Sequence, residues 1–150
     1  MQSVDFFTLA PIEGELPQAK LLWRSESTGL VLDGVNLEHQ VRIEDKYLLF
    51  LTENCPFEEG LHIYLIDDSR RVLDAVEIGA PYAPGILKNI QQIGGAAMSF
   101  SFFGEDLWRL EVRDKPALAF SRPLSPVKYK QGTLGRHWLS VVRVRGESEA

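Results

Sequence analysis

Residues 52–62, TENCPFEEGLH, bring together side-chain types that carry much of enzyme chemistry. The stretch contains a thiol, three carboxylates and an imidazole, which belong to Cys55, Glu53, Glu58, Glu59 and His62. A cysteine nucleophile needs a nearby cation, a helix N-terminus or an activating histidine to favour its thiolate. Cys55 instead has carboxylates as its sequence neighbours, and Pro56 favours an extended chain at Cys55 over a helix start. We therefore predict that Cys55 is not catalytic.

The same stretch does not have the pattern of a metal centre. A structural zinc site takes four ligands, mostly cysteine and histidine at short spacing, whereas here Cys55 stands alone and His39 and His137 are distant. The letters ENCPFEEG also lack the alternating oxygen ligands of a calcium loop. We predict no catalytic residue, no metal and no cofactor. We expect an acidic loop between two strands, with Glu53, Glu58 and Glu59 as a candidate acidic surface.

A basic segment, SRPLSPVKYKQGTLGR, precedes the last apolar stretch of the chain. Long connections of this kind are often functional. Its glycines have neither the phosphate-loop spacing nor that of the dinucleotide-binding fingerprint. We predict that Lys128, Lys130 and Arg136 are candidate contacts with a partner or an anion.

Charge is distributed unevenly along the sequence. Residues 1–106 contain 7 basic and 17 acidic residues, residues 107–145 contain 9 basic and 2 acidic residues, and the whole chain carries a net charge of −5. Such asymmetry is typical of a polyanion-binding face, but basic strands paired beside acidic strands produce the same pattern. Because the whole chain is acidic, we do not expect a nucleic-acid partner.

The length of 150 residues is that of one domain, which we assign to residues 1–150, with 1–19 as an N-terminal extension and 146–150 as a tail, both peripheral. A single cysteine excludes an intrachain disulfide and fits a reducing compartment. The start of the sequence lacks a basic and apolar signal segment, and no apolar run reaches the roughly 18 residues of a membrane span. We therefore expect a cytoplasmic protein with no membrane contact.

Hydrophobic alternation with a period of two dominates the sequence and predicts strands. Large apolar residues alternate on both sides of a glycine-containing turn: Met98, Phe100 and Phe102 before it, and Trp108, Leu110 and Val112 after it. This pattern predicts a β-hairpin with one buried face. The stretch LHIYLIDDSRRVLDAVEIG predicts a second hairpin, and KYLLFLT, apolar on both faces, predicts a central strand. HWLSVVRVR predicts a further strand.

Weaker strand signals lie near residues 20–25, 29–35, 86–93 and 116–122, and NLEHQVRIEDK is the one stretch that could hold a short helix. The fold class predicted is all-β with little helix, a single antiparallel β-sandwich or closed β-barrel of about eight or nine strands. Five large aromatic residues either fill its core, which we favour, or line a ligand cavity: Trp23, Phe100, Phe102, Trp108 and Trp138.

These observations favour a non-enzymatic cytoplasmic protein that acts through a protein–protein interaction, with an inhibitor- or immunity-like role as one form of it. One alternative is a β-barrel that binds a small apolar ligand in a cavity lined by the aromatics. Another is an enzyme that uses carboxylates and histidine from separate strands, for example a pocket that gathers His62 with Glu or Asp residues of perturbed pKa. Homodimerisation through an edge strand is compatible with each of them.

Overall fold

The computed structural model describes residues 1–55, 58–80, 83–118, 125–130 and 135–144. These residues form strands and no helix. The strands are β1 (Gln2–Ser3), β2 (Phe7–Ile12), β3 (Gln18–Trp23), β4 (Glu26–Asp33), β5 (Asn36–Ile43), β6 (Lys46–Thr52), β7 (Leu61–Asp67), β8 (Val72–Ile78), β9 (Lys88–Gly94), β10 (Ala97–Ser101), β11 (Leu107–Leu118), β12 (Val127–Tyr129) and β13 (Arg136–Val144). None of the described ranges contains a helix with the length and apolar character needed to cross a membrane.

The strands form three antiparallel sheets. The six-stranded sheet has the order β1-β5-β6-β7-β8-β12, the four-stranded sheet has the order β13-β11-β10-β9, and the three-stranded sheet has the order β2-β3-β4. Within the described residues none of the three closes on itself. The all-β, antiparallel prediction is therefore confirmed.

The strongest sequence signals produce the expected elements. β10 and β11 form the predicted hairpin, in which Phe100 lies opposite Trp108. β7 and β8 form the second hairpin. β6 lies between β5 and β7 in the six-stranded sheet, and all but its first residue are buried. A strand with apolar residues at consecutive positions requires cover on both of its faces, and the other two sheets provide it.

The structure differs from the prediction in two places. Asn36–Ile43 lies in the one stretch that could have held a short helix, and it is the strand β5, whose ladder with β6 places Val41 and Ile43 in the core. Residues 1–19 supply β1, β2 and the start of β3, and Phe7 is buried, so this segment is integral to the sheets rather than peripheral. Of the weak strand signal at 116–122, β11 covers residues up to Leu118; residues 119–122 and the tail 146–150 lie outside the described residues.

Two separate hydrophobic cores use opposite faces of the six-stranded sheet. The first core joins that sheet to the four-stranded one and contains Phe50, Ile63, Phe100, Phe102 and Trp108 among its buried residues. The second core joins it to the three-stranded sheet, and its members include Phe7, Leu21 and Tyr64. Along β7, Leu61, Ile63 and Leu65 face the first core, and Tyr64 and Ile66 face the second. His62 therefore lies on the face of the second core, at the end where β7 begins.

Candidate functional site

The side chains on the face of the second core change from apolar to polar at the end of the sheet where β6 ends and β7 begins. His62 is almost fully buried there, and in the β7–β8 ladder it lies opposite Glu77. The strands thus place an imidazole and a carboxylate side by side on one face. This is the start of the candidate site.

Glu53 joins His62 because the chain folds back between β6 and β7. Thr52 pairs with Leu61 at the mouth of the loop, and Glu53 Oε2 lies 2.5 Å from His62 Nε2. Gly60 makes this approach possible, since a Cβ at that position would lie 2.5 Å from the same carboxylate oxygen. The sequence stretch 52–62 is therefore the expected loop between two strands, but it also builds a contact between a buried histidine and a partly exposed carboxylate.

Lys130 completes the network from a distant part of the chain. Its Nζ lies 2.7 Å from His62 Nδ1, 2.9 Å from the Tyr64 hydroxyl and 3.1 Å from Asp33 Oδ2. An ammonium group only donates hydrogen bonds, so His62 Nδ1 must accept one. Nε2 is then the ring nitrogen that donates to the Glu53 carboxylate. Both ring nitrogens of His62 are occupied.

The charges of this network perturb the two groups beside Lys130. Burial by itself would raise the pKa of Asp33, but the Lys130 ammonium and hydrogen bonds from Lys130 and Gln18 together hold that pKa below its usual value. Burial raises the pKa of Tyr64, and Lys130 offsets only part of the effect. Asp33 is thus ionised and Tyr64 neutral at neutral pH. The Lys130 ammonium therefore contacts one negative charge, that of Asp33, and one neutral hydroxyl, that of Tyr64.

A cleft of about 200 Å³ opens beside this network and has a strongly acidic lining. It is lined by Glu53, Glu58, Glu59, Gly60, Glu77, Gly79, Ala80 and Lys128. The three glutamates named from the sequence as a candidate acidic surface therefore lie together, and Glu77 is a fourth. Lys128 is the one basic residue of the lining.

The four glutamates are not equally free to meet a ligand. The Glu59 carboxylate accepts hydrogen bonds from the backbone N–H groups of Glu53, Cys55 and Gly60, so it holds the loop in shape. Glu53 is bonded to His62. Glu58 is exposed, and the Glu77 side chain is 36% exposed and only 3.5 Å from His62 Nδ1. Glu58 and Glu77 are therefore the carboxylates most available to a bound group.

Cys55 is exposed at the same loop, and its Sγ lies 3.8 Å from the Glu53 carbonyl oxygen. Its partial burial, and the carboxylates of Glu53, Glu59 and Glu58, raise the pKa of its thiol. A raised pKa disfavours the reactive thiolate. This agrees with the sequence argument against a nucleophilic Cys55.

Glu53, His62 and Glu77 have the ligand types of a metal site, and their potential ligand atoms lie within 4.8 Å of one another. A metal ion would have to bind a ring nitrogen of His62. One of these nitrogens is bonded to Glu53, and the Lys130 ammonium lies against the other. At Nδ1 a metal ion would be repelled by the Lys130 ammonium, whereas at Nε2 it would replace the hydrogen bond to Glu53, which is itself one of the three possible ligands.

The predicted basic contacts do not form one surface. Lys128 lines the acidic cleft, and Lys130 points inward to Asp33, His62 and Tyr64 with a side chain that is only 18% exposed. Arg136 begins β13 in another sheet, opposite Leu118. Whether any of them contacts an anion stays a prediction.

The aromatics considered together in the sequence are also separated. Phe100, Phe102 and Trp108 are fully buried in the first core, as expected of packing residues. Trp23 lies at the margin of the second core, and Trp138 is half-buried against the first. The three core aromatics are therefore not the lining of a ligand cavity.

No protein-family model matches this sequence, and no curated protein or solved structure is significantly similar to it.

Proposed function

We propose that this is a non-enzymatic binding protein that receives a basic side chain of a protein partner in its acidic cleft. The observation that carries the proposal is the lining itself, with four glutamates, Lys128 as the single basic residue, and more polar than apolar surface. A guanidinium or ammonium group would pair with Glu58 and Glu77, the least committed carboxylates. An inhibitor- or immunity-like role, in which an acidic protein covers a basic target, is one form of this function.

The size of the cleft favours a side chain over a free small molecule. Pockets for drug-sized ligands measure about 300–1,000 Å³ and are mostly apolar. The cleft is smaller, at about 200 Å³, and is lined mainly by carboxylates. It therefore suits one cationic side chain better than the small apolar ligand considered as an alternative.

The network behind the cleft supports binding by fixing the carboxylates before the partner arrives. His62 holds Glu53, the backbone of the loop holds Glu59, and the β7–β8 ladder positions Glu77. Preorganised groups lose less conformational freedom when they bind. The net charge of −5 also steers a basic partner towards the protein.

A titration with short defined peptides tests this proposal. Isotope-labelled protein is titrated with an arginine-rich peptide and, separately, with a polyglutamate peptide of the same length, while backbone N–H signals are recorded by NMR. We expect the arginine-rich peptide to shift the signals of Glu58 and Gly60. The double variant Glu58→Gln/Glu77→Gln should weaken this binding by about tenfold or more.

Glu105→Gln is the matched control, because it also removes a carboxylate but does so away from the cleft. Glu105 forms an exposed ion pair with Lys88, which lies on β9 of the four-stranded sheet. The substitution should leave the affinity within about twofold. Equal weakening by Glu105→Gln would mean that only net charge matters, and an absence of shifts around the cleft would contradict the proposal directly.

A second candidate is an enzyme in which Glu53 and His62 act as an acid–base pair, and the short Glu53–His62 contact beside a cleft favours it. It ranks lower because His62 does not line the cleft and both of its ring nitrogens are engaged, Nε2 with Glu53 and Nδ1 with Lys130. A general base needs a free nitrogen within reach of substrate. Substrate turnover that His62→Gln abolished, in a variant that still bound the basic peptide, would reverse this ranking.

The scaffold that we propose for this function is a β-sandwich of the six- and four-stranded sheets, with the three-stranded sheet on the outer face. The two separate cores on opposite faces of the six-stranded sheet support it. Such packing holds the ends of β6, β7 and β8 rigid, which is where the cleft lies.

A further inference from the structure

A cluster of aromatic side chains lies at the end of β6 and β7 that is opposite to the acidic cleft. Phe6, Phe7, Trp23 and Tyr47 pack edge to face there, with ring centroids 4.9–6.2 Å apart. Tyr47 and Glu53 are separated along β6 by roughly 20 Å at the rise of a strand. The two regions are therefore distinct sites on one sheet.

Two arginines cover this aromatic cluster from different turns. The Arg70 guanidinium lies 4.5 Å from the centre of the Trp23 ring, and the Arg24 guanidinium lies 5.5 Å from it and 4.6 Å from the centre of the Phe6 ring. Neither guanidinium forms an ion pair with any carboxylate in the part of the chain that the structure describes. Arg71, beside Arg70 in sequence, does pair with Asp67. Arg70 Nη1 donates one long hydrogen bond, of 3.4 Å, to the backbone carbonyl of Asp68. The remaining donors of the two guanidinium groups have no carboxylate partner among the described residues.

The backbone presents both arginines in a conformation that such residues rarely adopt. Arg24 and Ser25 form the two-residue turn between β3 and β4 with φ of 48° and 71°, and Arg70 has φ of 61°. Left-handed turns of this type favour asparagine and glycine. Cation–π contact with Trp23 is the interaction that places the two guanidinium groups beside one indole.

We propose that Trp23, Arg24 and Arg70, here named the arginine surface, bind carboxylate side chains of an acidic segment in a protein partner. Tryptophan and arginine are the side chains most enriched at the energetic centres of protein interfaces. A guanidinium stacked on an aromatic ring still offers its in-plane donors to a carboxylate in bidentate geometry. The net charge of −5 and the neighbouring Asp68 oppose every anionic partner, but they oppose a nucleic acid more strongly than an acidic peptide segment, because the charge density of a nucleic acid is far higher.

The indole N–H signal of Trp23 provides a local readout. The protein has three tryptophans, so the signal is assigned with Trp23→Phe and then followed during titration with a polyglutamate peptide, an oligonucleotide and inorganic phosphate. We expect the polyglutamate peptide to shift it, and Arg24→Gln/Arg70→Gln to weaken that binding by about tenfold or more. The cleft variant Glu58→Gln/Glu77→Gln should not weaken this binding, which separates the two proposals.

Arg71→Gln is the matched control, since it removes a neighbouring guanidinium that already has a carboxylate partner. It should change the affinity by less than about twofold. The proposal is wrong if the Trp23 signal does not respond to the acidic peptide, if Arg71→Gln weakens binding as much as the double variant, or if phosphate or the oligonucleotide binds at least as well as the peptide.

Discussion

His62 and His137 are both buried histidines bonded to a carboxylate, yet they occupy very different surroundings. His137 Nδ1 lies 2.7 Å from Asp74 Oδ1, and both side chains are completely inaccessible to solvent. His62 is equally buried, but its partner Glu53 is 21% exposed and borders an acidic cleft. One pair lies inside the protein, and the other lies where the protein meets solvent.

The Asp74–His137 pair joins two sheets. Asp74 lies on β8 of the six-stranded sheet, and its carboxylate accepts hydrogen bonds from the N–H of Ala75 and from the N–H of Leu139 on β13 of the four-stranded sheet. Among the described residues, His137 Nε2 has no hydrogen-bond partner. A fully buried pair that links sheets has the position of a structural pair, whereas under the proposed function the pair that holds a carboxylate at the cleft is placed to meet a ligand.

Replacing Asp74 should have the largest effect on stability. Asp74→Ala leaves His137 and two backbone N–H groups without their acceptor in the interior, and breaking a buried pair costs about 3–5 kcal/mol. Urea unfolding should show this decrease in the free energy of unfolding. The folded fraction should still bind the arginine-rich peptide, because the cleft is elsewhere.

Asp106→Ala is the control for that experiment, since it breaks the exposed ion pair between Asp106 and Arg143. Its effect should stay below about 1 kcal/mol. If Asp74→Ala destabilised the protein no more than this control, the Asp74–His137 pair would not have the structural role that sets it apart from the Glu53–His62 pair.

Replacing His62 should cost less stability and more binding. In His62→Phe both Glu53 and Lys130 lose a partner, and an unsatisfied buried polar group costs about 1–3 kcal/mol. The loss of stability is near the lower end of this range if Glu53 and Lys130 turn towards water and are hydrated there. Because Glu53 is then no longer held, affinity for the arginine-rich peptide should fall.

His39→Phe is the matched control, because His39 is half-buried and lies on β5 away from the cleft. It should leave peptide binding unchanged. A His62→Phe variant with wild-type affinity would mean that the network behind the cleft does not position its carboxylates.

The elements that the sequence predicts well are those whose partners lie nearby in the chain. The β7–β8 and β10–β11 hairpins follow from strict alternation around a turn. β5 was ambiguous because Leu37 and Val41 are four residues apart, as on a helix, while Val41 and Ile43 are two apart, as on a strand. Pairing with β6 decides in favour of a strand, and that pairing is a tertiary effect.

The candidate site could be predicted only in part, for a similar reason. Its acidic loop is local in sequence, but Lys130 is 68 residues from His62 and 97 residues from Asp33. Even the position of Glu77 opposite His62 depends on a register shift, which lies between Leu65 and Ile66. Without that bulge, the pair Ile66–Val72 would place Val76 opposite His62, so the alternation alone gives the wrong partner.

The smallest effect should come from acid titration of Asp33, which links the three-stranded sheet to the His62 network. Its pKa is lower in the folded protein than its usual value of 3.8, so its ionised form stabilises the fold above that pH. This stabilisation is lost as the pH falls through the folded pKa. Wild-type protein should therefore be more stable than Asp33→Asn at pH 7, and the difference should shrink below about pH 4. Urea midpoints measured across this range check the expectation. Asp45→Asn, which removes a carboxylate bonded to Lys46 at the surface, should show a smaller difference at neutral pH. Wild-type and Asp33→Asn curves that stayed parallel from pH 7 to acid would mean that Asp33 is not coupled to Lys130 and that the network ends at Lys130.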